Sequence, residues 1–592
     1  MFNIVQYKKP KHDQLFEKLS SHYDITSLQN YIPIYSTIFL LNENNYNKIT
    51  LDTKQNLSTM SMETIDEEIH IKYAPIIDPY RFVMGKYSQF SNEDELFCLP
   101  TLVKSIPKSQ ATKPIYKINN TNNSAYVDAF FYYLSTKLIE KYNFVNGVQS
   151  FGTFIGIKNN FKFRINDDLD YLIGNKYFLK NSNKLFKVDD YSAIFNDEDD
   201  DCSSNRNPKK NKINISNHSF TECDVMNDIL DISDYAPNTD VVLCQPVEES
   251  DEMTDVNTNF DDSINIDDDA DKIECDSDNY EEEYNSNSSE DNDSDSCDDE
   301  KDGSGDGDDE KDGSGDGEEE DWETESDDVS GDSRNEDKEQ DIFVTLDKFP
   351  VAMICMEKCK DTLDTLIETN YFTTNEMWYS MLLQIIMSLI VYQKVFTFTH
   401  NDLHTNNVMF VETESEFIDY IYNNKKYRVP TFGKIYKIID FGRSIYKVNE
   451  ILICSDSYDI KGDANSQYNF EPFYNSNNTK IIPNPSFDLC RLATSMIDFF
   501  LEIPSKHPDI LNLIEEWCQD DKGRNVLYKN NGEERYPEFK LYKMIARTVH
   551  RHIPENQLAR DCFSSFITKN NENIKYTVNI DRIPAFFINP II

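Results

Sequence analysis

The residue types best suited to chemistry fall in Phe398-Thr399-His400-Asn401-Asp402-Leu403-His404-Thr405-Asn406-Asn407-Val408-Met409-Phe410. An Asp and an Asn stand five residues apart, a His precedes the Asp by two, and apolar residues follow as a short strand. Such a loop fits phosphoryl transfer: Asp402 can accept the proton of an attacking hydroxyl, and Asn407 can hold a metal ion on nucleotide phosphates. Downstream, Lys437-Ile438-Ile439-Asp440-Phe441-Gly442-Arg443 ends a buried strand in a carboxylate at a glycine turn, where a second metal contact is needed.

These two motifs resemble the protein-kinase superfamily. The resemblance implies Asp402 as catalytic base, with His404 beside it, and Asn407 and Asp440 as ligands of Mg2+ carried by ATP. Two departures stand out. Asn401 replaces the family's Arg before the base, so phosphorylation of the following segment is not required to order the site. His404 replaces the family's Lys two residues after it. Asp402-Leu403-His404 also occurs in small-molecule phosphotransferases of the aminoglycoside and choline kinase type, which keeps that alternative open.

The elements that must position these groups follow from periodicity. Glu68-Ile69-His70-Ile71-Lys72-Tyr73-Ala74-Pro75 alternates as a strand with Lys72 on one face. It is similar to the family strand whose Lys contacts the nucleotide phosphates; Lys104 is the competing candidate. Ser124 to Lys141 reads as a helix with Val127, Phe130, Phe131, Leu134 and Leu138 as a stripe and Ser124 as its cap. The resemblance asks this helix for a carboxylate to hold Lys72: Asp128, with Glu140 second. Val148 to Ile165 is strand-rich, with Gly152 and Gly156 at turns or bulges. Pro350 to Cys359 reads as a buried strand and resembles the family's last small-lobe strand; the resemblance implies Met356 at the back of the nucleotide pocket and Glu357, Lys358 and Cys359 as the hinge for adenine. Thr373-x-x-Glu376 is a capping box before a core helix. The segment Glu412 to Lys434 reads as an elongated hairpin, and Asp488 as the support of the catalytic loop. His550 and His552 are structural.

Other stretches depart from the family. Met1 to Gln29 reads as helical, and apolar alternation at Ile32, Ile34, Tyr35, Ile38 and Leu40 predicts strands from Tyr31 to Leu51. The family's glycine-rich phosphate loop belongs there, but that segment contains no glycine. Ala-Pro-Glu is missing after Asp440. Together with Tyr536 to His550, the matching blocks resemble the uncharacterised kinase-like proteins of giant DNA viruses, the mimivirus group.

The formal charge of −49 is localised. Roughly 55 acidic against about nine basic residues fall between Asp197 and Asp341, and the rest of the chain is close to neutral. Apolar residues there are too sparse to offset chain entropy, which predicts a disordered acidic insertion. Asp312-x-Ser314-x-Asp316-Gly317 with Glu323 has calcium-loop spacing, but no amphipathic helix flanks it, so it reads as a solvated repeat. Ser286 to Asp299 is a candidate for phosphorylation.

No overall basic surface for nucleic acid is expected. The scattered cysteines contain no Cys-x-x-Cys, which suits a reducing compartment. Met1 to Lys11 lacks a signal pattern, and the apolar run Met381 to Tyr392 is too short to span a bilayer. The expectation is a soluble intracellular protein without membrane insertion, in host cytoplasm or virion if viral.

The fold class expected is α+β: a bilobal protein-kinase-like fold with a long acidic disordered insertion in the small lobe. Its divisions are an N-terminal segment and the first part of the small lobe at 1–196, the insertion at 197–341, the last small-lobe strand and hinge at 342–359, and the large lobe at 360–592. The function expected is an ATP-dependent Ser/Thr protein kinase acting on a protein substrate, basic in character. The further alternative is a catalytically weak nucleotide-binding scaffold.

Overall fold

The computed structural model describes residues 4–6, 9–89, 96–102, 114–191, 341–459, 462–473, 480–502, 504, 506–536, 539–570, 572 and 574–588. All of them belong to one unit of the chain, Met1–Gln245 with Glu339–Ile592. The acidic stretch, its calcium-like spacing, the serines from Ser286 and the candidate Lys104 lie outside the described residues.

Helices and sheets are mixed, an α+β arrangement. Helix α1 (Lys9–Tyr23) leads into strand β1 (Ile25–Gln29), and strand β2 (Ile69–Pro75) follows. Helix α2 (Ser124–Tyr142) precedes the long strands β3 (Ser150–Arg164) and β4 (Phe343–Glu357). These strands form an antiparallel sheet in the order β1-β3-β4-β2, with Lys187–Val188 added beside β4. Period-two alternation fails in β4, whose residues from Phe349 to Met356 are all buried, because both of its faces are covered.

The expected strands between Tyr31 and Leu51 are largely absent. Tyr35–Ile38 is a helical turn, and only Ile49–Leu51 is extended. Ile32, Ile34, Tyr35 and Ile38 are all buried, so their spacing records all-round burial and not one face of a strand. The consequence is functional: among the described residues β2 pairs only with β4, so the strand carrying Lys72 is a sheet edge. Among the described residues no hairpin pairs with its other side, and β1 sits at the opposite edge.

Described structure stops at Tyr191 and resumes at Asp341. The Asp189 N–H donates to the Phe343 carbonyl at 3.0 Å, and Arg164 pairs with Asp341 at 2.8 Å. Departure and return are therefore neighbours at one end of the sheet, and residues 192–340 fit an insertion.

Helix α3 (Asn375–Phe396) is buried on all sides from Ser380 to Tyr392. Its cap is Thr374, which accepts the Met377 N–H, one residue later than the capping box predicts. The helix is long and apolar enough to cross a membrane, but 83% of that window is buried inside the protein. Strands β5 (Val408–Glu412), β6 (Phe417–Tyr422), β7 (Lys425–Pro430) and β8 (Lys434–Ile438) follow. β6 and β7 are the elongated hairpin, and β5 pairs antiparallel with β8. Helices α4 (Phe487–Glu502) and α5 (Phe539–Thr548) pack beyond them. Tyr420 is buried and donates to Asn146 at 2.7 Å, which makes that aromatic part of the core.

Candidate active site

The site is assembled first from α2. Asn123, not Ser124, caps this helix by accepting the Ala125 N–H. Asp128 lies one turn in, with its side chain 2% exposed, and Lys72 reaches it from β2. Lys72 Nζ stands 2.8 Å from Asp128 Oδ2 and 2.9 Å from Asp440 Oδ1. Asp128 Oδ1 also accepts the Phe441 N–H at 2.7 Å, and the Tyr132 hydroxyl oxygen accepts the Asp440 N–H at 2.9 Å. Residues four apart share a helix face, so Asp128 and Tyr132 grip one turn together. Phe131 completes the grip: its ring lies 4.3 Å from that of Phe441 and 4.6 Å from that of Phe398. Asp440 is held at φ +61°, a left-handed conformation that Asp tolerates better than most residues.

One ammonium thus serves two carboxylates in unequal settings. Burial pushes the Asp128 carboxyl up to about 6, against the pull of Lys72. Burial also opposes ionisation of Asp440, but Lys72 outweighs it and holds that carboxyl at about 2. The Asp440 side chain is 46% exposed, so this carboxylate faces the open side of the site.

The loop from His400 is fixed by its backbone. Asp488, buried on α4, accepts the N–H groups of His400 at 2.9 Å and Asn401 at 3.0 Å. Burial pushes its carboxyl up to about 7. The His400 ring donates from Nε2 to the Ile439 carbonyl at 2.8 Å, which leaves Nδ1 to accept the Asp402 N–H at 3.3 Å. Asn401, at φ +66°, accepts the Tyr468 hydroxyl at 2.6 Å and donates to the Arg443 carbonyl at 3.2 Å. A neutral amide with two buried partners therefore occupies the position before Asp402.

The Asp402 and Asp440 regions meet because β5 and β8 are paired. Val408 faces Ile438, and the Ile439 N–H donates to the Asn407 carbonyl at 3.0 Å. Arg443, three residues past Asp440, reaches Asp402 Oδ2 at 3.4 Å and Asp463 at 3.1 Å. Tyr542 from α5 donates to Asp402 Oδ1 at 2.8 Å. Burial would raise Asp402, but Arg443, His404, Arg491 and the Tyr542 bond together hold it below the ordinary carboxylate range. Asn407 Nδ2 donates to the Asp402 carbonyl at 2.8 Å and to His404 Nε2 at 3.1 Å. Burial pushes His404 down to about 4, so its ring is neutral near pH 7.

The stretch Met356–Cys359 runs out of β4. Met356 is buried, and the N–H groups of Glu357, Lys358 and Lys360 are spent on Gln149, Glu68 and Phe410. The Cys359 N–H enters none of these bonds. The Glu357 side chain pairs with Lys437 at 2.8 Å, which ties this end of β4 to β8. Glu140 does not approach Lys72; it pairs with Lys137 at 2.7 Å. Sequence reasoning missed Tyr132, Arg443, Tyr468 and Tyr542. It also missed Asp456, whose carboxylate accepts the Ser124 N–H at 3.0 Å and the Lys117 ammonium at 3.1 Å and so ties the segment after Asp440 to the start of α2. Only Tyr132 carried a signal, its spacing of four from Asp128.

No group of three His, Cys, Asp or Glu side chains suited to a metal ion occurs among the described residues. The Asp440 carboxylate and the Asn407 amide oxygen are hard donors, two in number. That set fits Mg2+, which takes its other ligands from phosphates and water, and not a soft or fully caged ion.

No family model matches the chain. Over 87 residues it is 33% identical to the serine/threonine-protein kinase haspin homolog of Arabidopsis thaliana, a stretch covering 14% of this chain and 14% of that protein. At so small a share of either length, the likeness supports a protein-kinase-like relationship and nothing finer.

Proposed function

We propose that this protein is an ATP-dependent kinase, bilobal in fold, that transfers the γ-phosphate to Ser or Thr hydroxyls of a protein substrate. The observation that carries the reading is the Lys72 ammonium bridging Asp128 and Asp440, in a site where Arg443 links the Asp440 turn to Asp402. Lys72 would hold the nucleotide phosphates, and Asp128 would hold Lys72. Met356, Glu357, Lys358 and Cys359 would face adenine, with the Cys359 N–H as donor. Asp440 and Asn407 would hold Mg2+, which neutralises charge on the phosphates when bound. Asp402 would accept the hydroxyl proton, its carboxylate kept ionised by Arg443 and steered by its neighbours. His404 acts through Asn407, whose amide it turns.

The same reading places the protein inside cells, keeps the likeness to giant-virus kinase-like proteins, and has the acidic stretch at 197–341 attract a basic substrate by charge. Radiolabel transfer from ATP to a basic protein tests it, with wild type beside Asp402→Asn. Transfer by wild type, reduced about 100-fold or more in the variant, is expected; equal signal rejects the mechanism.

A second reading is favoured by one observation: among the described residues β2 pairs only with β4, which leaves its other edge unpaired beside Lys72. Without a loop over the phosphates the chain would bind nucleotide weakly and act as a scaffold, with the acidic stretch recruiting partners. It predicts no transfer and only weak binding of magnesium–ATP.

A further inference from the structure

Tyr542 stands out because it touches the candidate base from an element outside both motifs. Its hydroxyl donates to Asp402 Oδ1 at 2.8 Å. The residue is 8% exposed and sits on α5, where Leu541 and Ile545 are buried on either side of it. The Arg491 guanidinium, fully buried on α4, lies 4.9 Å from the centre of the Tyr542 ring, and the Phe487 ring lies 6.4 Å away. The phenol is therefore held by packing along its length, and its hydroxyl is delivered to one carboxylate oxygen.

The neighbours of Asp402 divide the work. Arg443 approaches the other oxygen, Oδ2, at 3.4 Å, too long for a strong bond, and shares itself with Asp463. His404 Nε2 lies 4.0 Å from Oδ1 and is spent on Asn407. His400 Nδ1 accepts the Asp402 N–H and Asn407 Nδ2 donates to the Asp402 carbonyl, bonds that fix the Asp402 main chain and leave the side-chain torsion free. Tyr542 supplies the short bond that fixes it. An ionised carboxylate offers about four acceptor sites, so an oxygen bonded to Tyr542 retains room for a second hydroxyl. The Asp402 side chain keeps 17% exposure, which leaves an approach for that hydroxyl.

We propose that Tyr542 is a positioning residue that sets the direction of the Asp402 carboxylate toward the acceptor hydroxyl. The proposal rests on the kinase reading above. A base turned away from its substrate loses rate without losing affinity, so the effect belongs in kcat.

The test compares wild type, Tyr542→Phe and 4-aminophenylalanine at position 542, assayed for radiolabel transfer from magnesium–ATP to a basic protein. Tyr542→Phe keeps the ring between Arg491 and Phe487 and removes only the donor. The expected result is a loss of about 10-fold in kcat with both KM values within about twofold of wild type. The amine, which restores a donor, recovers most of that rate. A crystal structure of Tyr542→Phe should show the Asp402 carboxylate rotated from its wild-type direction. An unchanged kcat overturns the proposal, as does a raised kcat with a lower acceptor KM, which would make the phenol an occupant of the acceptor's place. Loss of rate that the amine does not restore also overturns it, because packing alone would then explain the variant. Absence of transfer by wild type is a separate outcome: it rejects the kinase reading and this proposal with it.

Discussion

Replacing Lys72 by Met removes the one cation between Asp128 and Asp440 and leaves a side chain of similar volume. The two carboxylates respond in different pH ranges. Asp128 titrates above its unfolded value, at about 6 in the folded state. The native state therefore holds the extra proton, and stability falls as pH rises from about 4 to 6. At pH 7 this already removes about 3 kcal/mol, taking the unfolded carboxyl near 3.9. Without Lys72 burial acts unopposed and raises the carboxyl further, so the deficit at pH 7 grows to about 4 kcal/mol, a further loss of about 1 kcal/mol. At pH 5 Asp128 is mostly protonated with or without Lys72, so this part vanishes.

Asp440 titrates below its unfolded value, at about 2. Its contribution is present above about pH 4 and is lost as pH falls toward 2. Because its side chain is 46% exposed, solvent screening reduces that contribution to about 1 kcal/mol. The expected loss for Lys72→Met is thus about 2 kcal/mol at pH 7 and about 1 kcal/mol at pH 5. Urea unfolding followed by the fluorescence of Trp378 and Trp517, both fully buried, reads it directly. A loss of equal size at both pH values, or one larger at pH 5, refutes the bridged arrangement.

Other perturbations probe the parts around that bridge. Phe131→Ala empties the ring cluster against Phe441, Phe398 and Tyr392, and should cost about 3–5 kcal/mol in the same unfolding assay. A loss below 1 kcal/mol would show that the cluster is not packed as described. Asp488→Ala orphans the buried N–H groups of His400 and Asn401, at about 1–3 kcal/mol for each donor. Amide exchange at those two positions should accelerate, and unchanged protection would contradict the contact. Tyr468→Phe removes the buried donor to Asn401 and should lower stability by about 1–2 kcal/mol, checked by its urea midpoint.

How much of this the chain discloses depends on whether a residue's partners are near it in sequence. Lys72 is legible because it falls on the polar face of an alternating strand, and Asp128 because a helix places it beside the apolar stripe. The structure brings both together with Asp440, although their separations of 56 and 368 residues leave no local trace. Caps are off by one at Asn123 and Thr374, since adjacent Asn-Ser and Thr-Thr offer equivalent oxygens. Tyr31 to Phe39 misleads because its nearly continuous burial carries no period. Tyr542 and Tyr468 reach the loop from His400 to Asn407 from 140 and 67 residues away, and no pattern within their own segments requires it. The segment Tyr31 to Leu51 contains no glycine, and among the described residues β2 pairs only with β4, so no second strand borders the strand of Lys72 on its other side.

The claim on which the rest depends is that Lys72, Asp440 and Asn407 together receive the phosphates of magnesium–ATP. Titration calorimetry of wild type with ATP, with and without Mg2+, and of Lys72→Ala tests it. Binding that requires Mg2+ and weakens at least 10-fold in the variant is expected. No heat of binding in wild type, or equal affinity in the variant, would contradict it.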